Sequence, residues 1–228
     1  MNRTWIVAAL VLATAAFASA QDKPPAAPPA KAPPQEKPAA PKAEQSVKPY
    51  VVGDVVDPVL ALIDLDGKSH TLKEYLGKTV VLDFWSIECP VSKGYEARFK
   101  EIYADYSKKN VVFLMVDANV GEVGGADFAA IKKYVKDQSI PYPVMADKKN
   151  VVADRFSAQT TPHVFILDDK GKLRYAGGVD NDPDIKKDSK TVKSFVREAL
   201  DALLAGKEPP QTTAKNNGCS IKRAGASN

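Results

Sequence analysis

The most reactive side chains in this 228-residue chain are its two cysteines, Cys89 near the middle and Cys219 near the end. Cys89 lies in the run Val80–Lys93, VVLDFWSIECPVSK, where an apolar stretch meets Pro90. Proline suits the first position of a helix, because its missing N–H would have had no intrahelical partner there. The spacing therefore predicts a strand, a corner and a helix, with the Cys89 sulfur beside the first free N–H groups and the positive end of the helix dipole. Such a setting favours the thiolate, the form that attacks disulfides and peroxides, and drops a cysteine pKa below about 8.5. Cys89 is thus the candidate nucleophile. The competing reading is an inert buried thiol, but a cysteine at a strand-to-helix corner followed by proline favours the reactive one.

The elements that must hold this sulfur begin after two segments of different character. Residues 1–20 (MNRTWIVAALVLATAAFASA) combine Arg3, a short apolar core and Ala18-Ser19-Ala20, the pattern of a cleaved secretory signal peptide and not of a membrane span. Residues 21–48 hold eight prolines and almost no large apolar side chain. Such a stretch cannot offset its ordering entropy by burial and reads as a disordered Pro/Ala/Lys-rich linker. Residues 49–206 then alternate strand and helix patterns. Lys78–Trp85 and Asn110–Ala118 read as buried strands. Pro90–Lys108 reads as an amphipathic helix with Tyr95, Phe99, Ile102, Tyr103 and Tyr106 near one face. Helical patterns follow at Ala126–Gln138 and Val151–Phe156, and a short strand at Pro143–Ala146. His163–Asp168 and Lys172–Ala176 predict a hairpin, and about Lys187–Leu204 a final helix. The pattern calls for an α/β domain with a central mixed sheet and helices on both faces. Residues 207–228 read as a flexible tail carrying Cys219.

The stretch Val51–Leu204 resembles the thioredoxin superfamily, in its redoxin or peroxiredoxin-like branch (the alkyl hydroperoxide reductase and thiol-specific antioxidant group). Asp83, Phe84, Trp85, Cys89 and Lys93 match the thioredoxin pattern of a strand ending DFW before C-x-x-C-K, with Ser92 where the second cysteine would stand. Thr161-Pro162 matches the loop whose cis-proline faces the nucleophile. The resemblance implies a thioredoxin-like fold with Cys89 as attacking group and Asp83 as a buried carboxyl that handles protons. It implies a substrate groove shaped by Pro162 and Thr161, with Ser92, Trp85 and Ser86 around it; Trp85 is expected to pack beneath the corner. A Ser92 hydroxyl can hydrogen-bond the thiolate but cannot resolve a mixed disulfide. The pairing Cys89-Pro90, with Ser86 three residues earlier, follows the peroxiredoxin pattern. Leu82 and Pro162 depart from it, standing where those enzymes have proline and a peroxide-polarising arginine. Arg98, on the helix after Cys89, is the one candidate substitute.

In such a fold Cys219, within Asn217-Gly218-Cys219-Ser220-Ile221-Lys222, reaches Cys89 only if the tail doubles back; a chain of this length spans that distance when extended. These residues point to an exported thiol-disulfide oxidoreductase or peroxiredoxin-like antioxidant protein, periplasmic or extracellular. Cys89 would attack a peroxide or protein disulfide, Cys219 would resolve, and an external dithiol would regenerate both. The alternative is a non-catalytic module that captures extended partner segments; a weaker one is metal handling by Cys89 and His163. No cofactor or metal is called for, since two cysteines and two histidines cannot build a four-ligand zinc site with any margin. The net charge of +4 lies largely in the leader and linker, which leaves the domain near neutral and argues against nucleic acid. Gly121–Gly125 lacks the spacing of a phosphate loop. A monomer and a homodimer both fit.

Overall fold

The run Thr79–Trp85 is buried at every position, and a strand with no solvent face belongs inside a sheet covered on both sides. The computed structural model describes residues 48–225; the leader and nearly all of the linker lie outside the described residues. In chain order come β1 (Ala61–Asp64), β2 (Ser69–Thr71), a 3-10 turn (Leu72–Tyr75), β3 (Thr79–Trp85) and α1 (Pro90–Tyr106). Then follow β4 (Val111–Asp117), α2 (Val120–Val123), α3 (Ala129–Asp137), β5 (Val144–Ala146) and α4 (Val151–Arg155). The chain continues through β6 (Thr160–Thr161), β7 (His163–Leu167), β8 (Leu173–Gly177), α5 (Phe195–Leu204) and β9 (Cys219–Ser220).

Seven strands form one sheet in the order β2-β1-β5-β4-β3-β7-β8, and β6 pairs with β9 alone. The β3, β4 and β5 strands are parallel, whereas β7 runs antiparallel to β3 and β8 to β7. This is a mixed sheet of thioredoxin-like type. Alternation along β3 splits the core: Val81 and Trp85 face α1, α3 and α5, while Val80, Leu82 and Phe84 face α4 and the 3-10 turn. Asp83 shares the parity of Val81 and Trp85, so its carboxyl points beneath α1.

Two sequence expectations need correction. The last helix begins at Phe195 and not near Lys187, because Ser194 caps it by accepting the Arg197 N–H. The stretch before it is a loop pinned from inside by Arg98. The tail is also not free. It runs beside β8 (Ala176 N–H to Thr212 O, Ala214 N–H to Ala176 O), crosses to β6 as β9, and buries Ile221 in the core.

Candidate active site

Strand β3 delivers the chain to a corner, and the corner is tied down by hydrogen bonds before α1 begins. The Ser86 hydroxyl accepts from the N–H groups of Glu88 and Cys89, both at 3.1 Å. It donates in turn to Glu122 at 2.6 Å, and the other oxygen of Glu122 accepts from the Ile87 N–H at 2.7 Å. Ser86, itself buried, therefore ties down the main chain at Glu88 and Cys89. Sequence reasoning missed Glu122, which lies in the glycine-bearing segment weighed only as a phosphate loop. The available signal was an acidic residue in a short turn directly after the most apolar strand.

Cys89 is the N-cap of α1, with Pro90 at the first helical position. Its sulfur accepts from the Ser92 N–H at 3.4 Å and, as a thiol, donates to the Thr161 carbonyl at 3.0 Å. It is the main chain of Ser92 that meets the sulfur; the buried Ser92 hydroxyl has no hydrogen-bond partner among the described residues. Thr161-Pro162 is a cis peptide bond. Opposite Thr161, in antiparallel register, stands Cys219. Both cysteines are free thiols. The tail thus brings Cys219 to the residue whose carbonyl accepts from the Cys89 thiol, at the cis-proline loop.

Burial pushes the Cys89 thiol up, but the nearby Cys219 and Thr161 side chains and the Ser92 and Cys219 main chain outweigh it, and the pKa falls below the usual cysteine value. Cys219 moves the other way: burial, its hydrogen bond to Cys89 and the negative charge there all hold its proton on. The pair is therefore asymmetric. The Cys89 pKa is lowered and that of Cys219 raised.

Asp83 is wholly buried, and neither carboxyl oxygen has a hydrogen-bond partner among the described residues. Burial raises its pKa well above the carboxylate range, and charge on Cys89 raises it further. Burial thus keeps this carboxyl neutral, and it responds to charge on Cys89. Trp85 is buried edge-on against Tyr134, at 5.7 Å between ring centroids, and supports the corner from below.

Arg98 does not turn toward the sulfur. Its guanidinium bonds Asp180 at 2.6 Å and Asp182 at 2.7 Å, and also the Lys187 carbonyl. The arrangement fastens the loop before α5 and leaves this side chain no part in polarising a peroxide. His163 is buried, its pKa lowered by burial to about 4, and its Nδ1 accepts from the Gln159 N–H. It is a neutral packing residue against Phe165. No cluster of three metal-ligating side chains occurs among the described residues.

The AhpC/TSA family matches residues 52–176. A protein of Bacillus cereus named thiol-disulfide oxidoreductase ResA is 31% identical over 116 residues, which is 51% of this chain and 64% of that protein. The chain thus matches less than two thirds of that relative's length. The same-named protein of Geobacillus thermodenitrificans is 29% identical over 137 residues, 60% of this chain and 75% of that one. Among solved structures, an uncharacterized conserved protein from Geobacillus kaustophilus superposes with a TM-score of 0.68 at 27% identity, covering 78% of this chain and 95% of its own. The family match spans more than half of the chain, and the chain belongs to the AhpC/TSA family.

Proposed function

We propose that this AhpC/TSA family member is an exported thiol-disulfide oxidoreductase in which Cys89 attacks and Cys219 resolves. The observation that carries the reading is the placement of Cys219 opposite Thr161, the residue whose carbonyl accepts from the Cys89 thiol. In the first step the Cys89 thiolate attacks one sulfur of a partner disulfide. That bond breaks, a Cys89–partner disulfide forms, and the second partner sulfur leaves as a thiolate and takes up a proton. Cys219 then loses its proton and attacks Cys89. The mixed bond breaks, the Cys89–Cys219 disulfide forms, and the partner departs with two thiols. The partner gains two electrons and this chain loses two; an external dithiol reverses the change. Asp83, kept protonated by burial, is the buried group that gives its proton to the leaving thiolate and is reprotonated afterwards.

Several features favour a disulfide over a peroxide as oxidant. Arg98 is spent on Asp180 and Asp182, Leu82 and Pro162 replace peroxiredoxin motif residues, and the named relatives are thiol-disulfide oxidoreductases. The lowered Cys89 pKa supports chemistry over a purely binding role. Export rests on the leader-like residues 1–20.

The test is peptide mass spectrometry without reduction after one equivalent of a disulfide substrate. Wild type is expected to yield a Cys89–Cys219 linked peptide pair, and Cys219→Ser to stop at an adduct on Cys89. A lasting Cys89 adduct in wild type, with Cys219 free, overturns the assignment.

A further inference from the structure

Cys89 is only 2% exposed, its sulfur held between the first turn of α1 and the Thr161 carbonyl. Cys219 pairs with Thr161, so a sulfur that reaches Cys89 along the Thr160–Thr161 edge takes the place of Cys219. A small disulfide needs only the Cys219 side chain to swing aside. A protein segment needs the place of the β9 backbone, because the open edge of Thr160–Thr161 is already paired with it.

That pairing is selective about what it admits. A Cβ on Gly218 would run into the Thr161 carbonyl and lie 3.1 Å from the Pro162 nitrogen. Both are main-chain atoms, so no side-chain rotation relieves the clash. The residue before the cysteine must be glycine if the strand is to lie this close. Beside the buried Ile221, the tail's fastenings are polar side-chain contacts. They are Asn216 to the Thr160 hydroxyl at 2.6 Å, Lys222 N–H to Asn119 at 2.9 Å, and Arg223 to Asp154 at 2.8 Å and to the Ala158 carbonyl.

Building on the oxidoreductase reading above, we propose that the Thr160–Thr161 edge is a docking seat for extended segments with glycine immediately before cysteine. The chain's own Asn217–Ser220 is its resident occupant, which a protein disulfide must displace. Strand addition supplies the affinity and the Gly218 position the selectivity.

The experiment compares hydroxyethyl disulfide with two peptide disulfides, one built on Asn-Gly-Cys-Ser and one on Asn-Val-Cys-Ser. The protein carries Cys219→Ser so that reaction stops at the first adduct, with or without Arg223→Ala to loosen the tail. Loosening is expected to raise the glycine-peptide rate by about tenfold. It should leave the hydroxyethyl disulfide rate within about threefold, and the valine peptide should lag the glycine peptide by at least about tenfold. Gly218→Val is a second way to lift the strand and should act in the same direction. Peptide rates indifferent to both tail variants, or equal for glycine and valine, overturn the proposal. Fluorescence anisotropy with serine in place of the peptide cysteine reads docking without chemistry. Glycine-selective binding there, with no reaction at Cys89 even toward hydroxyethyl disulfide, would sustain the seat and reject the oxidoreductase reading.

Discussion

Cys89 and Cys219 meet at Thr161 with their pKa values displaced in opposite directions, Cys89 down and Cys219 up. Part of the stabilisation of its thiolate comes from the Cys219 thiol itself. Cys219→Ala removes that donor while keeping the main-chain N–H, so the Cys89 pKa is expected to rise toward the ordinary cysteine value. Since the thiolate is the reacting species, alkylation by iodoacetamide followed against pH should show its midpoint move upward in the variant. An unchanged midpoint would mean that Ser92 and Thr161 alone hold the thiolate. The opposed charge preferences of Cys89 and Asp83 belong to the same scale. A thiolate is favoured at the helix N-terminus, while burial keeps the Asp83 carboxyl protonated on the strand that leads to it.

At the scale of elements, the corner after β4 ties both sulfurs to the sheet. Glu122 holds the Ser86–Ile87 turn, and Asn119 with Val120 binds Lys222 just beyond Cys219. Behind them Asp117, fully buried, has its pKa raised to about 9 by burial first and by neighbouring Glu122 next. Unfolded Asp117 gives up its proton near pH 4 while the folded protein keeps it to about 9, so the folded state binds the extra proton across that window. Stability from this group is full below pH 4 and declines as pH rises toward 9, with a slope of up to about 1.4 kcal/mol per pH unit. Asp117→Asn cannot lose a proton, and its urea-unfolding free energy is expected to fall less steeply over the same range. The sequence carried the strands β3 and β4, the Cys89-Pro90 helix start and the cis position of Pro162, because each rests on local pattern or motif. It did not carry Glu122, whose role depends on a contact 36 residues away along the chain. Nor did it carry the placement of Cys219: a polar, glycine-bearing tail looks free until the acceptors waiting for it at Gln159 and Asn119 are seen. Arg98 was legible as a helix residue near the nucleophile, but its partners Asp180 and Asp182 lie on a loop whose path no periodicity describes.

For the molecule as a whole, closing the Cys89–Cys219 bond would link the end of the chain to its centre across a loop of about 130 residues. A crosslink over so long a loop removes much freedom from the unfolded chain, and because the tail is already seated the folded state needs little rearrangement to accept it. Oxidation is expected to stabilise the fold by roughly 3–5 kcal/mol. For a domain of this size that corresponds to a rise in Tm on the order of 10 °C, measurable by calorimetry of the oxidised and reduced forms. Equal melting temperatures would mean that the bond does not form or strains the tail. The path of the tail has another consequence, unrelated to sulfur. Where residues 212–214 lie along Ala176, they occupy main-chain groups of the outermost strand of the seven-stranded sheet. A bare rim of that kind invites a stranger's strand to add on, the first event in many aggregates. The same few residues that bring Cys219 home therefore also act as a hem, keeping each copy of the sheet from being extended by the next.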